Sequence, residues 1–301
     1  MSEETKIAGR DPRLGMFVWW DLDQSQVRPD TMRSLLAAEI TSFEAAHPGV
    51  ECSLRAVKVP DIDPLSAVKK AAQTWAMGRG NAPRFKAEVV RVDGDTVYVG
   101  VLQHSREGEK EVAWKQVELL GYDMLQKSWL NASASEAGQS FMKEANGFLE
   151  YLDHRFLRPD VIIPQIHAAK GISLRKQGGI YFVPKSYADQ LGAVRRVIEG
   201  IGSSSIHIVT VEGDAQASAS IGQAARDHVL DQMLSIKDRL KEWSESKRKI
   251  RSDAQANTLA ELADLLALAS LYEGTLQVSL QDLRSEIQTA QDRAMEILSG
   301  T

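Results

Sequence analysis

Paired aspartates one residue apart occur twice near the start of the chain, and their type and spacing could support chemistry. Asp21 and Asp23 follow the apolar stretch VWW, and Asp61 and Asp63 lie in the segment KVPDID. Carboxylates at neighbouring strand ends can bind Mg²⁺ together, because this cation prefers several oxygen ligands and leaves positions for phosphate oxygens. On this interpretation the chain is a Mg²⁺-dependent phosphoryl-transfer enzyme or a nuclease.

A structural role explains the same four aspartates, and we favour it. Asp63 directly precedes Pro64 and a helical pattern, which is the position of an N-cap whose carboxylate accepts backbone N–H bonds. Asp21 and Asp23 begin the polar loop DLDQSQ, and aspartate is common in such loops. We therefore predict no metal site, no catalytic residue and no cofactor, and we favour a protein that is not an enzyme.

Composition limits the class of protein. The chain has 301 residues, of which 43% are hydrophobic and 26% charged, so it has room for two globular domains or for one domain with a long extension. The formal net charge of −5 argues against wholesale binding to nucleic acid or to an anionic membrane, so any such site must be local. Cys52, the single cysteine, cannot form an internal disulfide. With no signal-peptide pattern and no long apolar run, we expect a cytoplasmic protein that does not bind membranes.

Two regions of mixed α and β character precede a helical one. Residues 1–122 include a predicted strand at 50–59 and an antiparallel hairpin whose turn is Asp93-Gly94-Asp95. Residues 123–213 combine helical stretches with short β runs, and residues 214–301 contain no proline. We predict an α+β fold with three domains at these boundaries: a mixed α/β body with antiparallel hairpins, then a C-terminal antiparallel helical hairpin.

Apolar residues recur at alternating spacings of three and four in the last third of the chain, which is the pattern of a coiled-coil seam. Glu273 is its single polar position, and Ser252 with Gln255 fits a capping box where an earlier, shorter seam slips out of phase. We predict two antiparallel helices there, with one bent rod as the alternative. The second seam is longer than the first, so we expect an apolar strip to remain for self-association. The proposed oligomerisation seam consists of Leu259, Leu262, Leu266, Leu276, Leu280, Leu283 and Ile287.

Basic residues cluster at the predicted tip of this helical hairpin. They are Lys247, Arg248, Lys249 and Arg251. On a projecting arm they could contact phosphates or an acidic partner. The electrostatic preference for cations at a helix C-terminus, worth about 0.3–1 kcal/mol each, also explains them, and we favour this structural explanation.

The segment LRKQGGIYFVPKSY places Arg175 and Lys176 beside a glycine turn and Tyr181 in the following β run. Interleaved basic and aromatic residues could stack on bases and neutralise phosphates, although core packing of a hairpin predicts the same aromatics. The segment resembles a poorly characterised family found in phages, bacteria and archaea, whose members combine an arginine-bearing strand, two glycines, a YFVP-like strand and a helical tail. The resemblance covers about residues 150–300. It implies no activity, but it suggests a phage or defence context.

Taken together, these patterns lead us to expect a non-enzymatic cytoplasmic assembly or adaptor protein in a phage-related or anti-phage defence complex. It would form a homo-oligomer or dock a protein partner through its C-terminal helices. One alternative is a nucleic-acid-binding accessory protein that uses the basic tip with Arg175 and Tyr181. The other is the Mg²⁺-dependent enzyme at the aspartates.

Overall fold

The computed structural model shows two compact units. The sheet–bundle unit holds the described residues within Met1–Leu22, Glu39–Ala56 and Pro159–Thr301, and the meander unit holds those within Asp23–Ala38 and Val57–Arg158. Helix α1, Pro29–Ala46, contributes residues to both. The predicted α+β class is confirmed, because both units combine helices with antiparallel sheets. The structure describes residues 13–22, 26–79, 82–107, 111–152, 156–175, 178–245 and 251–299.

The sheet of the sheet–bundle unit has four strands in the order β7-β8-β1-β9. The strands are β1 (Arg13–Leu22), β7 (Ile172–Ser173), β8 (Tyr181–Pro184) and β9 (Ser204–Glu212). Strand β1 pairs antiparallel with both β8 and β9, so the first strand of the chain completes a sheet built mainly from later residues. Each unit thus draws on separate stretches of the chain, and the continuous domains with boundaries at residues 122 and 213 stay a prediction. Gly15 permits the close approach of β1 to β8, because a side chain there would overlap the Val183 carbonyl oxygen and the Phe182 ring.

Short helices complete this unit. A π-helical turn, Leu157–Ile162, leads into α4 (Ile163–Ala168), and α5 (Ala188–Gly200) precedes β9. The strand predicted at residues 50–59 is wrong, since a 3₁₀ turn, Ser53–Ala56, occupies that region. Cys52 and Leu54 are both buried there, so their alternation with polar neighbours imitated a β-strand.

The described residues from 215 to 299 form three helices and not two: α6 (Ala215–Glu245), α7 (Ser252–Leu276) and α8 (Gln281–Ser299). The predicted single second helix is wrong because the chain turns at Gln277, whose φ of 56° lies in the left-handed region. Glu273 fixes this turn: its carboxylate accepts the Leu280 N–H at 2.7 Å and the Arg284 guanidinium at 3.1 Å. The capping box is also wrong, since Arg251 and not Ser252 is the N-cap of α7, and the Arg251 side chain makes no capping hydrogen bond.

Apolar side chains from all three helices meet in one core with the sheet. Leu262, Leu276, Leu280, Leu283 and Ile287 are buried in it. The two remaining seam residues, Leu259 and Leu266, are half-buried against the same core. The seam is thus covered by the chain itself. The additional apolar positions, from which we predicted self-association, pack α8 against the other two helices of the bundle.

A meander of five antiparallel strands, in the order β2-β3-β4-β5-β6, forms the sheet of the other unit. The predicted hairpin between β3 and β4 is confirmed, with Gly94 at a φ of 55° in its turn. The strands are β2 (Ala76–Arg79), β3 (Ala82–Asp93), β4 (Thr96–Glu107), β5 (Glu111–Asp123) and β6 (Ser128–Trp129).

Helices α2 (Pro64–Thr74) and α3 (Glu136–Glu150) pack against one face of this meander. Their apolar stripes bury Val68 and Phe141 against the strand residues Val99 and Leu120. Among the described helices of the whole chain, none is both long and apolar enough to cross a membrane.

Candidate docking surface

Two of the four predicted aspartates have structural partners. Asp63 is the N-cap of α2, and its carboxylate accepts the Ser66 N–H at 2.9 Å. The hydrogen bonds from Ser66 lower the pKa of Asp63. Asp61 forms an ion pair with Arg33 at 2.5 Å. The structural interpretation of Asp63 as a helix cap is therefore confirmed.

The other pair gives no sign of a metal centre. Asp21 is exposed near the end of β1, opposite Ser205 of β9, and Asp23 lies outside the described residues. In the described part of the chain no three His, Cys, Asp or Glu side chains are grouped so that they could hold a metal ion. Ser205 Oγ lies 3.2 Å from His207 Nε2, but the ring of His207 stacks on Trp19 and has no ion pair to a described carboxylate. Within the described residues, this hydroxyl–imidazole contact therefore has no third member that would make it a catalytic triad.

The residues of the YFVP segment form core. Tyr181 is buried and stacks on Trp20 with ring centroids 5.4 Å apart, so its face is not available to a nucleic-acid base. Phe182 is fully buried and its ring meets those of Phe17 and Tyr272. Arg175 is exposed, and Lys176 lies outside the described residues.

Only one residue of the predicted basic tip can be placed. Lys247, Arg248 and Lys249 lie outside the described residues, whereas Arg251 is exposed directly before α7. Arg251 therefore stands at a helix N-terminus, where the dipole disfavours a cation. Stabilisation by a helix C-terminus, the structural explanation offered for the cluster, does not apply to this residue.

The face of the meander opposite α2 and α3 carries a second set of apolar side chains. On β4, Val97, Val99 and Val101 are buried towards the helices, and Tyr98 and Leu102 alternate with them onto the other face. On β5, Leu120 is buried, and its neighbour Leu119 is directly opposite Gly100 of β4. We call this face the open face and define it by Val90, Tyr98, Leu102, Trp114, Leu119 and Leu130.

Local packing places Val90 and Leu130 on the open face. A bulge in β3 between Val89 and Arg91 turns Val90 towards β4. Its Cγ2 lies 3.0 Å from the point that a Cβ atom would occupy if Gly100 carried a side chain. Leu130 extends over Gly121 of β5. The Cδ1 atom of Leu130 lies 2.9 Å from the point that a Cβ atom would occupy if Gly121 carried a side chain. Val90, Leu119 and Leu130 remain 53%, 40% and 47% exposed, which is unusual for aliphatic side chains grouped on one sheet face.

Cations lie over the aromatic rings of the open face. The Arg91 guanidinium is 4.5 Å from the centroid of the Tyr98 ring, and the Lys86 ammonium is 4.6 Å from that of Trp114. Such contacts contribute about 0.5–1 kcal/mol each at exposed positions. Lys86 also pairs with Glu88 at 2.5 Å, whereas Arg91 has no ion pair with a carboxylate among the described residues. The face therefore offers an unmatched positive charge beside apolar and aromatic surface.

A hydrogen-bonded cluster fixes the helix layer beneath this sheet. Glu118 of β5 accepts hydrogen bonds from the hydroxyl groups of Ser133 and Ser135 and from the Ala134 N–H, the first and third of these at 2.9 Å. Ser135 in turn is the N-cap of α3 and accepts the Gly138 N–H at 3.0 Å. Burial raises the pKa of Glu118, but these hydrogen bonds lower it by more, so the group is held as a carboxylate.

Comparison with known proteins places the chain in a family. Residues 141–300, slightly more than half of the chain, match the model of the family of unknown function DUF6744. The chain belongs to DUF6744. The match spans the YFVP strand and the three-helix bundle, so the expectation of a poorly characterised family is confirmed. No curated protein and no solved structure matches the chain significantly.

The open face lies outside the DUF6744 match, and the sequence interpretation missed it. A signal was present in the stretch TVYVGVL, where apolar residues occupy both alternating sets of positions. A strand that is apolar on both faces is typical of a sheet covered on both sides.

Proposed function

We propose that this member of DUF6744 is a non-enzymatic assembly or adaptor protein that docks a protein partner on the open face of its five-stranded sheet. The observation that carries the proposal is that β4 is apolar on both faces, whereas α2 and α3 cover only one of them. This replaces the C-terminal helices as the docking surface, since the bundle already buries its own seam.

The chemistry of the open face suits a protein partner. Tyr, Trp and Arg are enriched at the centres of protein interfaces, and here Tyr98, Trp114 and Arg91 stand among exposed aliphatic side chains. Full burial of a Val or Leu side chain yields about 1.5–3 kcal/mol, so covering one that is half exposed yields roughly 1 kcal/mol. The three exposed aliphatic side chains alone therefore supply a useful driving force for docking.

Nucleic acid suits this face less well. Affinity for nucleic acid comes largely from cations that meet phosphates, and the Lys86 charge is already matched by Glu88. Both aromatic rings have a cation over one side, and the chain as a whole carries a net charge of −5. We propose the cytoplasm as its compartment because the thiol of its single cysteine, Cys52, is free and buried. The phage or defence context also remains a proposal, supported by the family resemblance alone.

Affinity capture from the native host tests this docking function. Leu119→Asp introduces a charge at the centre of the open face, whereas Leu125→Asp makes the same change in the β5–β6 turn, at a side chain 74% exposed. We expect the parent chain and Leu125→Asp to retain the same partners and Leu119→Asp to lose them, while all three keep the same circular dichroism spectrum. Equal capture by all three chains would overturn the proposal.

A further inference from the structure

We infer that the surface docked on the open face is the same face of a second copy of this chain, so that two five-stranded sheets stack as a β-sandwich. This inference rests on the proposed docking function and names its partner. Antiparallel sheets commonly pack face to face about 10 Å apart with their strands at roughly −30°.

The size of the face supports a stable pair. Strands β3, β4 and β5 have 12, 12 and 13 residues. At about 3.3 Å per residue and 4.8 Å between strands, these three strands alone present roughly 600 Å² in projection. Side-chain relief and the flanking strands add to this, which brings the contact close to the roughly 800 Å² per partner of a standard interface.

The charges of the face permit self-association. A face of one sign would repel its own copy, but here Glu88 lies on the same strand as Lys86 and Arg91. In a two-fold arrangement every contact occurs twice. The unmatched Arg91 of each copy can therefore approach a carboxylate of the other copy.

Pairing through the edges of the meander is the competing arrangement. Strand β2 pairs only with the first residues of β3, up to Lys86, and β6 pairs only with Tyr122 and Asp123 of β5. No described strand pairs with the rest of these two sides, which could therefore accept a strand from a second copy. Edge pairing would leave Leu119 outside the contact, so the effect of a charge at Leu119 distinguishes the two arrangements.

Light scattering coupled to size-exclusion chromatography of the purified full chain tests the inference. We expect the parent to elute as a dimer, with twice the 33.2 kDa mass of one chain, and Leu125→Asp to do the same. Leu119→Asp should elute as a monomer at the same concentration, because each dimer would bury two unpaired carboxylates. Should Leu119→Asp fail to fold, Val90→Asp makes the corresponding change on a different strand.

Thiol labelling provides a second measurement on a nearly intact face. The single cysteine, Cys52, is buried, so Leu119→Cys and Leu125→Cys each add one reactive thiol to a free copy of the chain. Pairing covers position 119, so maleimide labelling of Leu119→Cys should slow as the protein concentration rises, while labelling of Leu125→Cys stays constant. The same concentration dependence for both variants would contradict pairing through the open face.

A parent chain that stays monomeric at high concentration would overturn the pairing, as would a dimer that survives Leu119→Asp. Either result is distinct from failure of the docking function. If the chain is a monomer and Leu119→Asp still abolishes capture of host partners, the open face docks a different protein and only the pairing is wrong. If the chain is a monomer and Leu119→Asp captures the same partners as the parent, both proposals are wrong.

Discussion

The Glu118 cluster allows a sharp test of how the helix layer is held against the sheet. Replacing Glu118 with Gln keeps the size of the side chain but removes its negative charge. It also replaces one carboxylate oxygen with an amide NH₂, which cannot accept the hydrogen bonds that the Ser133 and Ser135 hydroxyls or the Ala134 N–H donate to Glu118. Hydrogen bonds to a charged group contribute about 1.5–3 kcal/mol, so the start of α3 should lose about that much local stability.

Hydrogen exchange measures this loss where it occurs. A loss of 1.5–3 kcal/mol corresponds to about 10- to 100-fold faster exchange of amides whose opening breaks the cluster. Peptides that cover the start of α3 should show the acceleration in Glu118→Gln. Glu144→Gln makes the same chemical change on an exposed face of α3 and should leave those amides within about twofold of the parent.

The lowered pKa of Glu118 adds a dependence on pH with a definite sign. A carboxylate whose folded pKa lies below its unfolded value stabilises the protein above the unfolded pKa, and that stabilisation is lost as pH falls through the folded pKa. The stability difference between the parent and Glu118→Gln should therefore be full at neutral pH and shrink as the pH falls through the lowered pKa of Glu118. A difference that stays constant down to the acid unfolding of the chain, or an exchange rate equal to that of Glu144→Gln, would refute the assignment of Glu118 as a charged anchor.

Three further substitutions or treatments have expected outcomes. Tyr272→Phe removes a buried hydroxyl that donates to the Lys170 carbonyl at 2.9 Å, and urea unfolding should show a loss of about 1–3 kcal/mol. Glu273→Ala leaves the Leu280 N–H without its acceptor, so exchange at the start of α8 should accelerate about tenfold. Burial raises the pKa of the Cys52 thiol, so a thiol reagent at neutral pH should modify it only after denaturant is added; rapid labelling of the native chain would contradict its burial.

Local features of the fold were predictable where one or two residues determine them. Asp63 before Pro64 predicts a capped helix, and the glycine of Asp93-Gly94-Asp95 predicts a hairpin; the structure confirms both. Each depends on backbone geometry within about four residues, which the sequence specifies directly. The pairing of β1 with β8 and β9 joins residues that are far apart in the chain, and no local pattern encodes it.

The C-terminal turn shows why a heptad pattern can hide a chain reversal. Leu276, Leu280 and Leu283 keep the spacing of a single helix across the break, because the four-residue connection returns the chain to the same core. Burial periodicity reports which side chains face a core, and it does not report the direction of the helix that carries them. The polar position Glu273 was the usable signal, since its carboxylate caps the turn.

The same limit explains the open face. Its cation–aromatic pairs join residues of different strands: Arg91 of β3 lies over Tyr98 of β4, and Lys86 of β3 lies over Trp114 of β5, so both pairs exist only in the folded register. The sequence shows that β4 is apolar on both faces, but it does not show that the helices cover only one of them. That requires the positions of α2 and α3.

The burial of Phe182 bears on how a family of this kind should be investigated. The YFVP strand is the most recognisable stretch of the chain, and its role is to pack the sheet against the helical bundle. The Phe182 ring lies between Phe17 of β1 and Tyr272 of α7. Substitutions in this core strand will yield insoluble or misfolded protein whatever the biological role is. The resulting loss of a phenotype would then be mistaken for loss of a catalytic group. Genetic screens across these proteins will be more informative when they alter surface positions one at a time and leave the signature strand intact.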